Sequence, residues 1–340
     1  MRKLALIVLG CLLALSAPAA AQTLNIYNWA DYLDDAVIRE FEREYGIRVI
    51  YNVYSNNEEL HARLRGGASG YDVIFPSDYM AEVLIAEGLL QPIPREAVPN
   101  LAYIDERFLD LPFDPGNQYT VPYLWGSTGI GVNTRYVKEP VDSWDILWDP
   151  KYRGRIAMLN DPREVFGVAL KRLGYSANTR DLEALEKAKE LLVEQKPLVL
   201  TYDSDNTEIL LVSEEVWLAH GYSGDVLRAM EDNPDITYVV PKEGGLLWMD
   251  VMAIPKTARN VDGALKFINF ILRPDIHARL AEANQYPTPN RAAWEYHDEE
   301  FRQNPAIYVP DDVMERMEWI EDLGDMATVV DRLWTEVKAD

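Results

Sequence analysis

Apolar positions follow two different spacings in the first part of the chain. Residues 23–29 (TLNIYNW) and 47–54 (IRVIYNVY) show the alternation typical of strands, and residues 71–77 (YDVIFPS) add a third strand. Between them, residues 34–45 carry apolar side chains at helical spacing, and residues 57–67 (NEELHARLRGG) predict a helix that stops at its glycines. The order βαβαβ predicts an α/β fold.

The later part of the chain continues this alternation. Residues 119–134 predict two short strands around a glycine-rich centre, and residues 181–195 predict a regular charged helix. Residues 260–284 predict helices that are interrupted at Pro274, because proline cannot continue a helix. No internal repeat is evident, so we expect two α/β lobes of one chain with a boundary near Asn133.

One apolar segment contains a carboxylate. Residues 246–255 (LLWMDVMAIP) predict a buried strand, with Asp250 in its middle. A buried carboxylate without a compensating group is costly, and no lysine or arginine lies within five residues of Asp250. The partner of Asp250 is therefore either distant in the chain or a ligand. Trp248 lies two positions earlier, so both side chains point to the same face of the strand.

The N-terminal residues 1–21 have the pattern of a secretory signal peptide. Arg2 and Lys3 precede an apolar stretch, and Ala19–Ala21 provide small residues for cleavage, so we expect cleavage near Ala21 and export to the periplasm. The apolar stretch of roughly a dozen residues is shorter than the ~20 that a membrane anchor needs. Cys11, the one cysteine of the chain, would leave with this segment.

Length and charge narrow the class of protein further. A chain of 340 residues exceeds what one hydrophobic core usually serves, which again favours two lobes. The formal net charge of −23 disfavours nucleic acid and anionic membrane surfaces as partners. It favours a cationic ligand, although a solvated acidic surface has the same charge balance.

Signatures of enzyme chemistry are weak. The four histidines are scattered and form no metal-binding pair, so neither a metal nor a cofactor is expected. Residues 126–131 (GSTGIG) lack the helix and charged partner of a nucleotide-binding loop. Asp161 and Glu164 flank a helix start at Pro162, and this pair has two interpretations: the two carboxylates of a glycosidase, or a helix N-cap with its capping box.

Eight stretches together resemble the spermidine/putrescine-binding receptors of ABC importers, a family of two-lobed periplasmic solute-binding proteins. They follow the family's order over nearly the whole chain after the signal segment: YNWADY (27–32), YDVIFPSDY (71–79), VPYLWGSTGIGVN (121–133), SWDILWDPKYRGRI (143–156), DPREVF (161–166), PKEGGLLWMD (241–250), GALKFINFILRPD (263–275) and YPTPN (286–290). The resemblance implies a type II periplasmic-binding-protein fold with a ligand cleft between lobes joined by a hinge. We expect residues 22–133 and 252–310 in lobe 1 and residues 134–251 in lobe 2. The C-terminal helices of residues 311–340 are expected to cross back to lobe 2.

The resemblance also implies a set of ligand-binding residues. In this family aromatic side chains wall the methylene chain of the polyamine and carboxylates hold its amines. The matching positions are Trp29, Asp31, Ser77, Tyr79, Asp161, Glu164, Trp248, Asp250 and Tyr286. Two departures leave the exact ligand open: either His220 or Tyr222 takes the place of a further aromatic, and Ile320 takes that of a polar residue. Tyr79 and Trp248 are similar to the spermidine-preferring branch, and Asp31 to the putrescine-preferring one.

These residue types suit a polyamine on physical grounds. A well-placed aromatic ring adds roughly 0.5–2 kcal/mol through cation–π contact. Removing each ammonium from water costs several kcal/mol, so matching carboxylates are required as well. We therefore expect a monomeric receptor that captures spermidine or putrescine by lobe closure and delivers it to an inner-membrane permease, without catalysis. The alternatives are a receptor for another organic cation or a metal, a receptor that signals through a sensor domain, and a secreted glycosidase that uses Asp161 and Glu164.

Overall fold

The computed structural model describes residues 22–67 and 70–339, so the predicted signal segment lies outside the described residues. The strands of this part are β1 (Thr23–Trp29), β2 (Arg48–Tyr54), β3 (Val73–Ile74), β4 (Thr120–Asn133), β5 (Ile156–Met158), β6 (Val199–Tyr202), β7 (Leu218–Tyr222), β8 (Ile236–Val239), β9 (Leu246–Ala253) and β10 (Glu318–Trp319). The α-helices are α1 (Asp35–Tyr45), α2 (Asn57–Arg65), α3 (Asp78–Ala86), α4 (Pro162–Arg172), α5 (Leu182–Gln195), α6 (Thr207–Val212), α7 (Ser223–Asp232), α8 (Val261–Ile271), α9 (Pro274–Asn284), α10 (Glu299–Gln303), α11 (Asp311–Met314) and α12 (Met326–Ala339).

Local signals in the sequence set most of these boundaries. Helix α1 begins after Asp34, whose side chain accepts a hydrogen bond from the backbone N–H of Ala36, and ends at Gly46 in the left-handed conformation. Helices α8 and α9 are separate, because Pro274 starts a new helix. The predicted α/β order and the predicted helices at 181–195 and 260–284 are confirmed.

The prediction of two short strands at 119–134 is wrong. Strand β4 runs unbroken over these residues, with a shift in register between Pro122 and Trp125. Its glycines make room for neighbouring side chains rather than for a turn: a Cβ atom at Gly126 would lie 2.5 Å from the Trp248 ring, and one at Gly131 would lie 2.8 Å from Leu211.

The strands form one mixed sheet in the order β2-β1-β3-β9-β4-β7-β5-β6, with β8 paired to β4 and β10 paired to β9. The central pair is antiparallel and connects Thr120–Thr128 of β4 with Leu246–Ala253 of β9. The far end of β4 instead pairs with β7 and β8. As a result, β4 and β9 run through the middle of the molecule.

Two large hydrophobic cores lie along this sheet. The first core includes Ile26, Phe41 and Phe267, from β1, α1 and α8, together with the first half of β4. The second core includes Phe166 and Leu333, from α4 and α12, together with the second half of β4. The molecule therefore has two lobes that share a strand. None of the helices described here has the length and apolarity needed to cross a membrane.

Candidate functional site

A cavity of about 440 Å³ lies where the two halves of the sheet meet, and residues from β1, β9, α4 and α7 line its walls. Nine of the ten predicted site residues line it, and the ligand-binding role of these nine stays a prediction. The cavity is lined by Trp29, Ala30, Asp31, Tyr32, Asn57, Ser77, Tyr79, Asp161, Glu164, Ser204, Asp205, Glu208, Ile209, Tyr222, Asp225, Arg228, Trp248, Asp250, Ala283, Asn284, Tyr286 and Ile320.

Aromatic rings form one wall. The Trp248 ring meets the Tyr286 ring edge to face, with centroids 4.9 Å apart, and it meets the Tyr222 ring in the same way at 5.7 Å. Trp248 lies on strand β9, and the absence of a side chain at Gly126 lets its indole pack closely against β4. Such interlocked rings hold a fixed apolar surface, which suits a ligand with methylene groups.

A second group of rings lies at the end of β1. The indole N–H of Trp29 donates to the backbone carbonyl of Phe75 at 2.9 Å, and the Trp29 ring packs on Tyr54 with centroids 4.7 Å apart. Tyr32 packs edge to face on Tyr123 at 5.0 Å. These contacts fix Trp29 and Tyr32 before any ligand arrives.

Asp250 is buried, with 4% of its surface exposed. The Ser77 hydroxyl donates to its Oδ1 atom at 2.8 Å, and Asn57 in turn donates to that hydroxyl at 3.1 Å. Burial raises the pKa of Asp250 to about 7, while the hydrogen bond from Ser77 opposes the rise. Among residues 22–67 and 70–339, no lysine or arginine forms an ion pair with Asp250. The chain therefore supplies this carboxylate with hydroxyl contact but not with a compensating charge.

The N-terminus of α4 brings two more carboxylates to the cavity. Asp161 caps the helix, because its Oδ1 accepts hydrogen bonds from the backbone N–H groups of Arg163 and Glu164 at 2.9 and 3.1 Å. Glu164 does not complete a capping box; its carboxylate accepts a hydrogen bond from the Thr128 hydroxyl at 2.9 Å. The capping interpretation is thus right for Asp161, and both side chains nevertheless line the cavity.

Burial also changes the acidity of these two groups. It raises the pKa of Glu164 to about 8, against the effect of the Thr128 hydrogen bond. It raises the pKa of Asp161 to about 6, with the neighbouring Glu164 adding to the rise. Together with Asp250 they form a set of three buried carboxylates, and a cation that binds in the cavity would lower their pKa values and favour loss of their protons.

Of the two candidates His220 and Tyr222, Tyr222 lines the cavity, so the inclusion of His220 among the site residues is wrong. His220 is fully buried behind Glu164, with Nε2 3.6 Å from Glu164 Oε2 and its ring against Trp144. Both residues lie on β7, but Tyr222 is its last residue and reaches the cavity, whereas His220 lies two positions further in. Burial lowers the pKa of His220 to about 3, so the ring is neutral.

Sequence reasoning missed several acidic and basic residues of the cavity. Asp205 lies in an acidic turn before α6, and Glu208 lies in the first turn of that helix. Asp225 and Arg228 lie one turn apart on α7. The acidic turn is visible in the sequence, but its spacing does not connect it to the other site residues. Their position follows only from the packing of α6 and α7 in the fold.

The cavity is strongly acidic as a whole. Its lining holds seven carboxylates and one arginine, Arg228. Three carboxylates are buried on the inside, whereas Asp31 and Asp205 are exposed at the rim. In the described part of the chain, no cluster of three or more histidine, cysteine or acidic residues is arranged to hold a metal ion. This arrangement can stabilise an elongated organic cation.

A two-lobed α/β protein with a cavity between its lobes has the fold of the periplasmic binding proteins. The chain belongs to the bacterial extracellular solute-binding proteins, because the sequence model of that family matches residues 36–309. It is 39% identical over 331 residues to the spermidine/putrescine-binding periplasmic protein of Salmonella typhimurium, covering 96% of this chain and 95% of that one.

Solved structures give the same result. One from Listeria monocytogenes superposes with a TM-score of 0.90 at 38% identity, covering 93% of this chain and 99% of that chain. The spermidine/putrescine ABC transporter substrate-binding protein PotD from Streptococcus pneumoniae superposes with a TM-score of 0.77 at 35% identity, covering 94% and 99%. The predicted family and the predicted two-lobed fold are therefore confirmed.

Proposed function

We propose that the protein is the solute-binding component of an ABC importer and that its ligand is a linear polyamine, spermidine or putrescine. The observation that carries this proposal is the set of three buried carboxylates, Asp161, Glu164 and Asp250, beside a wall of fixed aromatic rings. Relatives named as spermidine/putrescine-binding proteins support it.

The cavity suits such a ligand in charge and in shape. Ammonium groups form charge-assisted hydrogen bonds with the buried carboxylates, which are about twice as strong as neutral ones. The methylene groups between them lie against Trp248 and Tyr286, where the rings provide both apolar surface and cation–π attraction. An ammonium group supplies the opposite charge that each buried carboxylate lacks, and its attraction offsets the free-energy cost of burying the carboxylate.

Closure of the two lobes follows from the same charges. Ser55 donates to Asp205 at 2.9 Å across the cavity mouth, so opposite sides of the cleft are in contact. A cationic ligand held by one side attracts the carboxylates of the other only when they are close, and this difference in affinity favours the closed arrangement. Hinge closure of this kind is the general mechanism of periplasmic binding proteins.

We further propose the lobe assignment of residues 22–133 with 252–310, and 134–251 with the C-terminal helices, which the two separate cores support. Export with cleavage near Ala21 and delivery to an inner-membrane permease are proposed likewise, because the family is described as extracellular and the relatives as periplasmic. We propose a monomer that carries out no catalysis.

A thermal-shift panel distinguishes this proposal from its alternatives. Putrescine, spermidine and spermine are compared with a divalent metal, with a monoamine of similar length and with a chromogenic glycoside, whose hydrolysis is followed in parallel. Stabilisation by a polyamine alone supports the proposal. Stabilisation by the metal or monoamine only, or turnover of the glycoside, would replace it with the corresponding alternative.

A further inference from the structure

Arg228 places a permanent positive charge on one wall of an otherwise acidic cavity. All three nitrogens of its guanidinium group donate hydrogen bonds: Nε to Glu208 at 2.7 Å, Nη2 to Asp225 at 2.6 Å and Nη1 to the backbone carbonyl of Asn284 at 3.2 Å. Glu208 and Asp225 also line the cavity. The arginine is thus bound from three sides by groups that belong to the site.

This pairing divides the cavity carboxylates into two groups. Glu208 and Asp225 form ion pairs with Arg228, whereas among the described residues no lysine or arginine forms an ion pair with Asp161, Glu164 or Asp250, although the nearby Arg163 acts on the first two at longer range. An ammonium group that approached Glu208 or Asp225 would have to compete with the Arg228 guanidinium, whose three nitrogens all donate hydrogen bonds. Arginine is suited to this competition, because its planar group is always charged and loses little freedom when it binds carboxylates.

The backbone around Arg228 also prevents the side chain from moving away. Helix α7 approaches the end of α9 so closely that a Cβ atom at Gly224 would lie 2.2 Å from the Asn284 carbonyl oxygen and 2.6 Å from the Tyr286 ring. The bond from Arg228 to this same carbonyl therefore connects two elements that are already in contact. We therefore expect the guanidinium to keep its place when a ligand enters.

We infer that Arg228 is a specificity-determining residue, which occupies two cavity carboxylates and thereby selects against the most highly charged polyamines. This inference rests on the proposed function and adds which members of the ligand class the cavity prefers. A diamine needs only the buried carboxylates without a chain cation. Each further ammonium must approach the wall where Arg228 repels it.

Opposite shifts in two variants test this inference. Arg228→Gln releases Glu208 and Asp225, so the affinity for spermine relative to putrescine should rise at least about fivefold, whereas Glu208→Gln leaves the arginine less neutralised and should lower the same ratio. Arg279→Gln is the matched control: this arginine pairs with Glu40 outside the cavity, and its loss should leave the ratio unchanged. Affinities are measured by calorimetry on folded protein, checked by circular dichroism.

The outcomes separate the inference from the proposed function. A uniform loss of affinity for both polyamines in Arg228→Gln, with an unchanged ratio, would show a merely structural role and overturn the inference. If Arg228→Gln does not fold, the ratio in Glu208→Gln decides alone, and an unchanged or higher ratio overturns it. A wild-type protein that binds no polyamine would overturn the proposed function and, with it, the inference.

Discussion

Asp250 lies in a strand that is buried along its whole length, and Ser77 neutralises none of its charge. A carboxylate in such surroundings is stable in two ways: it takes up a proton, or a cation binds beside it. The free protein uses the first way, since burial raises the pKa of Asp250 to about 7. A polyamine would provide the second.

Replacing Asp250 with asparagine should therefore separate binding from stability. Asp250→Asn keeps the shape and a hydrogen-bond acceptor for Ser77 but removes the charge, so we expect polyamine affinity to fall by at least about tenfold. The free protein should be at least as stable as the wild type at pH 7, because the neutral amide avoids the cost of burying an ionised carboxylate. Calorimetry and thermal unfolding measure the two effects.

Asp262→Asn provides the control, because Asp262 is an exposed carboxylate that pairs with Lys266 on α8. Its loss should change neither quantity. A strong loss of stability in Asp250→Asn with unchanged affinity would mean that Asp250 has a structural role.

The raised pKa values also predict how pH acts on binding. Asp161, Asp250 and Glu164 have pKa values of about 6, 7 and 8, whereas amines like that of lysine titrate near 10.4. Binding of a polyamine at pH 7 should therefore release protons, and affinity should rise from pH 6 to pH 8. Calorimetry in buffers of different ionisation enthalpy counts the protons. Proton uptake, or affinity that falls over this range, would contradict the assignment of these carboxylates.

The stability of the free protein should change in the opposite direction. The folded pKa of Asp250 lies above its unfolded value of about 3.9, so the folded state binds more protons between these values. Its contribution to the free energy of unfolding is therefore most favourable at low pH and is lost as pH rises towards 7. Asp250→Asn should flatten this part of the pH profile.

Residues in short motifs were predictable from the sequence, and residues placed by packing alone were not. Trp248 and Asp250 share the parity of one strand, which fixes their common direction. Arg228 carries no such local signal, because its role depends on the contact of α7 with α9. His220 shows a further limit: strand parity gives the same face to His220 and Tyr222 but does not say where the cavity ends.

Helix α4 shows at the level of elements how one residue serves both fold and site. Asp161 caps the helix and also turns a carboxylate towards the cavity. Asparagine caps about as well as aspartate, whereas alanine costs about 1 kcal/mol. Asp161→Asn should therefore leave thermal stability nearly unchanged while polyamine affinity falls, and Asp161→Ala should lower both.

This pair of variants is its own control, because both remove the charge and only one removes the cap. Equal affinities for wild type and Asp161→Asn would restrict Asp161 to its capping role. Equal stability of the two variants would instead show that the cap contributes nothing measurable.

Strand β4 shows what sequence periodicity misses at this scale. Its glycines suggested a break between two strands, because glycine in the interior of a strand weakens it unless a close contact requires the absence of a side chain. The reason lies in distant parts of the chain, where Trp248 and Leu211 fill the space beside Gly126 and Gly131. The local sequence pattern predicts most helices and strands, but it does not predict close contacts between a glycine and side chains from distant parts of the chain.

In the molecule as a whole, two cores share the strand β4, and direct hydrogen bonds also cross the cavity mouth. The bond from Ser55 to Asp205 is one of them. A hydrogen bond of this kind contributes about 0.5–1.5 kcal/mol. Ser55→Ala should therefore speed polyamine release by up to about tenfold, with little effect on association. Stopped-flow fluorescence measures both rates.

Ser213→Ala is the matched control, because Ser213 is exposed and donates to the Leu210 carbonyl outside the cavity lining. An unchanged release rate in Ser55→Ala would show that this contact does not stabilise the closed arrangement.

Two lobes of α/β architecture followed from length and from the order of elements. The connection of the two lobes through one sheet did not follow from the sequence. Strand β4 pairs with β8 and β9, and the paired residues are more than a hundred positions apart in the chain. The family resemblance supplied the cleft between lobes, which no periodicity indicates.

Calorimetric titration of the purified protein with putrescine, spermidine and spermine tests polyamine binding most directly. We predict saturable heat with about one ligand per chain for putrescine or spermidine, and proton release at pH 7, because the buried carboxylates must ionise to receive the amines. No heat and no thermal stabilisation with any of the three polyamines would contradict the account.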